Sequence, residues 1–277
     1  MKTLIPPYWN ARITRDLTNL SLVRHRNSDG HIISMHQSGT HWLRNMLSLA
    51  MAKAYGLPEP EYIQDNDFIC APQDPSKYAH IPRIVSSHQI PSPLVTNRLA
   101  LSLIKLPDYV LLMRDPRVIA ASHYRRFEAR YKIPFSEYLR ANVALLQQNA
   151  KRHKFDKDIW WDIRFQNSWA RMLQLRPGHI HLVRYEELRR DTASHLRVIM
   201  QFLHMPEIDE QTLAWCIEQS SKESMAQKES PDIAHKVVHE DKKNPLAIYS
   251  EEDKRFFLET YRKYCKADFG YDFEAGW

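Results

Sequence analysis

The residues whose types and spacing are best suited to binding or catalysis lie in the stretch HQSGTHW, residues 36–42. An apolar run precedes this stretch and a helical pattern follows it at once, which is the layout of a phosphate-binding loop. Gly39 allows a tight turn and a close approach of the backbone to a ligand. Amides at the start of the following helix, together with the helix dipole, stabilise an anion such as phosphate or sulfate. A plain strand–turn–helix with a capping Ser or Thr is the alternative.

The loop departs from the nucleotide-triphosphate pattern G-x-x-x-x-G-K-[ST]. No Gly lies five residues before Gly39, and no Lys follows it. Without that pattern, magnesium would lack its usual hydroxyl ligand. An ATP-dependent kinase is therefore a disfavoured second hypothesis.

A second strand-to-helix junction carries Arg114 and Ser122 in the segment RDPRVIAAS. Asp115 and Pro116 suit the start of a helix, and Ser122 lies about two helical turns after Arg114. An Arg at a strand's carboxyl end and a Ser on the next helix can bind one phosphate from two sides. The alternative is that Arg114 pairs with an acidic residue and that Ser122 contributes to helix packing. Together the two junctions predict a ligand with two anionic ends at the carboxyl edge of the sheet.

With both junctions present, the chain resembles the sulfotransferases that use 3′-phosphoadenosine 5′-phosphosulfate (PAPS). That family carries a loop close to PKSGTTW for the 5′-phosphosulfate, which HQSGTHW matches here. It also carries an Arg followed eight residues later by a Ser for the 3′-phosphate, which Arg114 and Ser122 match. The resemblance implies PAPS as the cosubstrate, no required metal, and transfer of a sulfuryl group to a hydroxyl.

Further nucleotide contacts are implied by the same resemblance. VRYEEL (183–188) resembles the segment whose Tyr, here Tyr185, lies near the nucleotide, and SSKESMAQ (220–227) resembles the adenine-pocket segment that starts here at Ser220. Trp42 is expected to pack on the adenine, with core packing as the alternative. The implied loop ligands are Gln37, Ser38, Gly39, Thr40 and His41.

The resemblance implies that the catalytic base is His88, which follows the apolar run in RIVSSHQIP. Sulfuryl transfer needs an acceptor hydroxyl that loses its proton as it attacks sulfur, and a His titrating near neutrality can take that proton. A structural or surface histidine is the alternative at this position.

The loop departs from the family at Gln37, where the family usually has a Lys that neutralises the bridging oxygen as the nucleotide leaves. Gln can donate a hydrogen bond but carries no charge. A protonated His41 is the predicted substitute, so Gln37 and His41 are assigned catalytic roles beside His88. Gln37 also keeps a third hypothesis open, a nucleotide-binding relative with weak or no catalysis.

A second departure concerns the family's Arg-Lys-Gly stretch, which reaches the 3′-phosphate and is missing here. The segment DIAHKVVHEDKKNPLAIYSEED lies in the expected place. Lys236 is assigned to the cofactor site, with Lys242 and Lys243 as further candidates, and a solvated charged loop is the alternative for each.

The elements that must position these residues are short apolar strands separated by amphipathic helices. The strands are predicted at 31–35, 83–87, 109–113 and 180–184, and the helices at 41–56, 135–153, 162–178, 193–205 and 250–270, the last one capped by Ser250. This alternation predicts a three-layer α/β fold with a central, mostly parallel sheet flanked by helices, in a single domain over residues 1–277.

The amino-acid composition limits the kinds of ligand and the location that we expect for this protein. The formal charge of +6 favours anionic ligands, but no nucleic-acid-binding motif is present. The three Cys are far apart, which disfavours a disulfide framework and a Cys-based zinc site and fits a reducing compartment. No signal-peptide pattern and no membrane-spanning run occur, so we expect a cytoplasmic protein.

The acceptor is expected in pockets formed by the loops 57–82, 89–107 and 125–160. Basic segments at 125–132 and 151–157 are consistent with peripheral membrane contact or with a plain solvated face. The acceptor can be a small alcohol or phenol, a lipid or a glycan. The sequence does not predict the oligomeric state.

Overall fold

Five short strands form one sheet in the computed structural model, which describes residues 14, 16–140, 158–231 and 244–277. The strands are β1 (Gly30–Ser34), β2 (Ile69–Cys70), β3 (Ile84–Ser87), β4 (Asp108–Met113) and β5 (Ile180–Arg184). Their order across the sheet is β2-β3-β1-β4-β5, and every pair is parallel. β1 is therefore central, with β3 on one side and β4 on the other.

The four strands predicted from apolar runs are confirmed, each within one residue of its predicted bounds. β2 was missed, because a strand of two residues leaves no periodic pattern in the sequence.

Both faces of the sheet are covered, which explains why the strands are continuously apolar. Ile32 packs with helical residues on one face, and its neighbour Ile33 packs on the opposite face with Trp161 and Phe165. Successive strand residues point to opposite sides of a sheet, so each strand needs apolar residues at consecutive positions. The predicted three-layer α/β fold is confirmed.

Helices fill the connections between the strands. Their bounds are α1 (Ser21–Arg24), α2 (Thr40–Ala54), α3 (Arg98–Leu103), α4 (Pro116–Tyr131), α5 (Phe135–Leu139), α6 (Ile159–Leu175), α7 (Tyr185–Arg190), α8 (Thr192–Phe202), α9 (Glu210–Glu218), α10 (Lys222–Gln227) and α11 (Glu251–Tyr264). A short 3₁₀ helix spans Pro245–Ile248. None of the helices in the described ranges is long and apolar enough to cross a bilayer.

Capping explains where several helices begin and end. Ser250 forms a capping box with Asp253 at the start of α11, as its sequence position predicts. α6 begins three residues before its predicted start, because the Asp158 carboxylate accepts from the amide of Trp161. It ends at Leu175, since Pro177 disfavours a helical conformation at Arg176.

Two predicted helices differ from the structure at their ends. α11 stops at Tyr264 because Cys265 is extended, so the prediction that this helix reaches residue 270 is wrong. The helix predicted at 135–153 is present as α5, and residues 141–153 lie outside the described part of the chain. The division into one domain stays a prediction.

Candidate active site

The ends of β1 and β4 lie side by side and bring the two anion-binding motifs together. Ser34 of β1 is in register with Leu112 of β4, and the amide of Met35 donates to the Leu112 carbonyl over 3.3 Å. One guanidinium nitrogen of Arg114, Nη1, donates to the carbonyl of Gln37 over 2.6 Å. Because that bond joins residues 77 positions apart, the loop and the second strand end form one structural unit.

The loop after β1 holds two residues in the left-handed region of backbone conformation. Gln37 has a φ of 59° and Gly39 a φ of 86°. A positive φ is uncommon for a residue other than glycine and often marks a functional turn. Alternating turn conformations of this kind direct successive amides to one side, and the first amides of α2 have no partner within the helix. The loop is therefore built to bind an anion.

The side chain of Ser38 stabilises the loop from within. Ser38 is fully buried, and its hydroxyl donates to the Met35 carbonyl over 2.5 Å. The hydroxyl is therefore used inside the turn, and a contact of Ser38 with the ligand stays a prediction.

Gly39 is the residue that permits an aromatic ring to close over the loop. A β-carbon at Gly39 would lie 2.5 Å from Cε2 of Tyr185, which is the first residue of α7. The ring centroid of Tyr185 is 4.5 Å from Cζ of Arg114 and 5.9 Å from the ring centroid of Trp42. Both the positive φ and the space taken by Tyr185 require glycine at this position.

His88 follows β3, which is the neighbour of β1 on the side away from β4. Its Nδ1 is 2.8 Å from the Ser34 carbonyl oxygen and 3.1 Å from the Ser34 hydroxyl. A carbonyl oxygen can only accept, so Nδ1 carries the proton in the neutral ring and Nε2 holds the lone pair. The Ser34 hydroxyl is also 2.8 Å from Oγ1 of Thr40, the first residue of α2. A polar chain thus connects the loop to the candidate base.

A second histidine packs on the candidate base, and the sequence interpretation gave it no role of its own. The ring centroids of His36 and His88 are 3.9 Å apart, with the planes tilted by 33°. The ring centroid of His36 is also 4.9 Å from that of Trp161 of α6. Ser34 was missed as well, although a single polar residue at the end of an apolar strand is a usable signal.

His41, the predicted substitute for the family's lysine, lies in surroundings that disfavour its protonated form. Burial lowers its pKa to about 4, with smaller contributions from the positive charge of Arg44 and from His88 and Arg126. The ring is therefore neutral at pH 7 in the free protein, and its role as the cation of the loop stays a prediction. Its Nδ1 is buried and makes no hydrogen bond within the described residues.

Ser220, assigned to the adenine pocket, has a structural contact. It is 1% exposed, and its hydroxyl accepts from the Asn45 amide of α2 over 2.8 Å. The hydroxyl is enclosed and occupied by this bond, and a contact of Ser220 with the nucleotide stays a prediction.

Several assigned residues keep the status of predictions. Ser122 is half-buried on α4, eight residues beyond Arg114, and Trp42 is half-buried on α2. The side-chain role of Gln37 is also a prediction. Lys236, Lys242 and Lys243 lie outside the described residues.

The junction after β4 is held by an ion pair at Arg117 rather than at Arg114. Arg117 Nη2 lies 2.7 Å from the Asp115 carboxylate, and Nη1 donates to the carbonyls of Phe273 and Ala275. Asp115 also caps α4 through the amide of Arg117. Arg114 faces the loop and donates to the Gln37 carbonyl, and its role in binding an anion stays a prediction. Elsewhere, no cluster of three or more His, Cys, Asp or Glu suited to a metal ion occurs among the residues that the structure describes.

Comparison with known proteins gives one family and several related folds. The family model described as "Sulfotransferase domain" matches residues 27–263. A search of curated proteins finds no match. Many solved structures share the fold, and three of them illustrate the likeness. Mouse sulfotransferase SULT7A1 complexed with PAP is 16% identical, with 91% of each chain covered and a TM-score of 0.54. Retinol dehydratase in a complex with retinol and PAP is also 16% identical, with 94% of this chain and 88% of that chain covered and a TM-score of 0.53. A putative steroid sulphotransferase from Arabidopsis thaliana is 15% identical, with 91% and 83% covered and a TM-score of 0.55. At these identities the structural likeness establishes the fold alone.

Proposed function

The chain belongs to the sulfotransferase domain family, and we propose that it transfers the sulfuryl group of PAPS to a hydroxyl with His88 as the base. Arg114 and Ser122 bind the 3′-phosphate. The amides of Gly39, Thr40 and His41 at the start of α2 bind the 5′-phosphosulfate. Trp42 and Tyr185 lie beside the nucleotide.

The observation that carries this proposal is the hydrogen bond from Arg114 to the Gln37 carbonyl, with Tyr185 packed over both motifs. PAPS has anionic groups at both ends of its ribose, and the two motifs offer one amide-rich site and one guanidinium close together. A small, doubly anionic nucleotide can span this distance, whereas either motif alone would bind a single phosphate.

His88 accounts for the proton that the reaction releases. The acceptor oxygen forms a bond to sulfur, and its proton moves to Nε2 of His88. The bond from sulfur to the 5′-phosphate breaks, and its electron pair stays on the phosphate oxygen, which leaves 3′-phosphoadenosine 5′-phosphate (PAP). The Ser34 carbonyl holds Nδ1–H, so it orients the ring and stabilises the imidazolium that forms.

The acceptor hydroxyl is placed beside His88. The rings of Phe127 and His123 lie 4.8 Å apart on α4, and the His123 ring lies 6.3 Å from that of His36. The likeness in fold to retinol dehydratase, whose structures hold retinol or androsterone, supports an acceptor with an apolar portion. A lipid or a glycan is also proposed as the acceptor. Contact with a membrane surface and a cytoplasmic location are proposals as well.

Gln37 is the feature that supports the alternative of a nucleotide-binding relative with weak or no catalysis. Its side chain brings no charge to the loop, and His41 is neutral. This alternative predicts tight binding of PAP without transfer. The kinase alternative predicts instead that ATP with magnesium binds more tightly than PAP.

The direct test is incubation of the protein with ³⁵S-labelled PAPS and a panel of alcohols, phenols, lipids and glycans. We expect a labelled product, and we expect His88→Ala to lose it while retaining PAP binding by calorimetry. His179→Ala is the matched control, because His179 pairs with Asp108 at the opposite edge of the sheet. Full turnover by His88→Ala would remove His88 from the mechanism, and absence of PAP binding would overturn the function itself.

A further inference from the structure

The loop of this protein lacks a positive charge at the point where sulfuryl transfer generates a negative one. As the bond between sulfur and the 5′-phosphate breaks, the phosphate oxygen gains charge, and a cation beside it lowers the barrier. Gln37 is neutral, and burial keeps His41 neutral as well. If the protein transfers sulfuryl groups, a cation from another element has to reach this end of the nucleotide.

Two arginines close to the loop are already committed to structural bonds. Arg44 donates to the Asn66 side chain over 2.6 Å and to the Ile69 carbonyl over 2.8 Å, so it ties α2 to β2. Arg114 donates to the Gln37 carbonyl and stacks on Tyr185, on the side of the loop that faces β5. Arg44 is therefore held at β2, and Arg114 is held at the Gln37 carbonyl, where it is proposed to bind the 3′-phosphate.

Arg126 occupies the face of α4 that is turned toward the loop. It lies four residues after Ser122 and three after His123, and residues at these spacings share one side of a helix. The orientation of that side is given by His123, whose ring lies 6.3 Å from the ring of His36, the first residue of the loop. The Arg126 guanidinium is held over the neighbouring Phe127 ring, with Cζ 5.7 Å from the centroid, and the residue is half-buried.

The charge of Arg126 acts on the loop. The pKa of His41, the second residue of α2, is lowered mainly by burial, and the positive charge of Arg126 adds the smallest contribution, after those of Arg44 and His88. His41 is the second residue of α2, and the first amides of this helix are proposed to bind the 5′-phosphosulfate. A planar guanidinium is suited to this task, because it can form two hydrogen bonds to one phosphate or sulfate group.

We propose that Arg126 of α4 is a catalytic residue that binds the 5′-phosphosulfate and neutralises the leaving 5′-phosphate, in the place of the lysine that Gln37 replaces. The inference rests on the proposed function. In the step, the acceptor oxygen bonds to sulfur and gives its proton to His88. The bond from sulfur to the phosphate oxygen breaks with its electron pair on that oxygen, and Arg126 pairs with the resulting charge.

Calorimetry with two nucleotides tests the assignment to the 5′ end. PAP carries both phosphates, whereas adenosine 3′-phosphate lacks the 5′-phosphate. We expect Arg126→Ala to weaken PAP binding by about tenfold or more, as for loss of a charge-assisted hydrogen bond. Its affinity for adenosine 3′-phosphate should stay within about twofold of the unmodified protein, because the affected contact is absent from that ligand. This second measurement also shows that the variant is folded.

A matched variant and a rescue make the test specific. Arg125→Ala removes the same charge from the same helix, but Arg125 reaches toward the Asn244 carbonyl, so we expect both affinities to be unchanged. Gln37→Lys in the Arg126→Ala background restores a cation to the loop, and we expect it to recover most of the PAP affinity.

The outcomes separate this inference from the proposed function. If the unmodified protein binds neither nucleotide, the proposed function fails first. If it binds PAP but Arg126→Ala behaves like Arg125→Ala, or weakens both nucleotides equally, the role of Arg126 is overturned while the function stands. Failure of Gln37→Lys to recover PAP affinity also counts against Arg126, since the position would then not need a charge.

Discussion

Arg114 and Gln37 are joined by a 2.6 Å hydrogen bond from the guanidinium to the backbone carbonyl. The bond connects the loop after β1 to the residue that follows β4, and the register of these two parallel strands places their carboxyl ends level with each other. It also helps to hold Gln37 at a positive φ, a conformation that costs free energy in a residue with a β-carbon. One side chain therefore shapes the loop and presents a charge beside it.

Substitution of Arg114 should affect nucleotide binding strongly. We expect Arg114→Ala to weaken PAP binding by roughly 10- to 100-fold, because both a phosphate contact and the bond that positions the loop are lost. Arg114→Lys should recover only part of the affinity, since an ammonium cannot form the planar pair of hydrogen bonds. Calorimetry with PAP measures both. Arg197→Ala is the control, because Arg197 forms an exposed ion pair with Glu210; an equal loss in that variant would point to a nonspecific charge effect.

Gly39 allows the effects of backbone conformation and of steric contact to be separated. We expect Gly39→Ala to lower the free energy of unfolding by more than about 1 kcal/mol and to abolish PAP binding, because the new methyl group would meet Tyr185. Urea unfolding and calorimetry measure the two effects. Gly178→Ala is the matched control: Gly178 has a similar φ of 80°, but a β-carbon there would meet nothing within 4 Å. Equal destabilisation by both variants would show that the contact with Tyr185 is unimportant.

The stacking of His36 on His88 predicts an effect on turnover. His36→Ala should leave a gap between His88 and Trp161, and we expect kcat to fall by about tenfold as the base loses its fixed orientation. His36→Phe keeps an aromatic ring in that place and should retain more of the activity. Steady-state kinetics with PAPS and an acceptor found in the panel will compare the two variants. A larger loss in His36→Phe than in His36→Ala would mean that the histidine acts by its polarity and not by packing.

Buried neutral histidines should make the protein less stable in mild acid. Burial lowers the pKa of His31 to about 3 and that of His41 to about 4, whereas both titrate near 6.5 in the unfolded chain. Between about pH 4 and 6.5 the unfolded state therefore binds more protons, so the free energy of unfolding falls as pH decreases through this window. Urea unfolding at pH 7 and pH 5 measures the change. His31→Gln, which can keep a hydrogen bond to the Ser87 hydroxyl, should reduce the pH dependence, and an unchanged slope would contradict the assignment.

Much of the fold and part of the site follow from local patterns. Apolar runs predicted four of the strands because both faces of a parallel sheet are buried. Capping residues predicted the start of α11, and the position of Arg114 at the end of an apolar run predicted its place at the carboxyl edge of the sheet. These properties depend on residues that are close together in the chain, so a sequence alone can determine them.

Which side chains meet, and which of them carry charge, depends on contacts between distant parts of the chain. The contacts of Tyr185 with Gly39, of His36 with Trp161 and of His88 with Ser34 join residues far apart in sequence, and they depend on strand register and on how each helix is rotated. The neutral state of His41 and the enclosure of Ser220 follow from burial, which a residue's type and spacing do not reveal. The sequence by itself therefore determined the motifs and their order, and long-range packing decided their geometry and protonation.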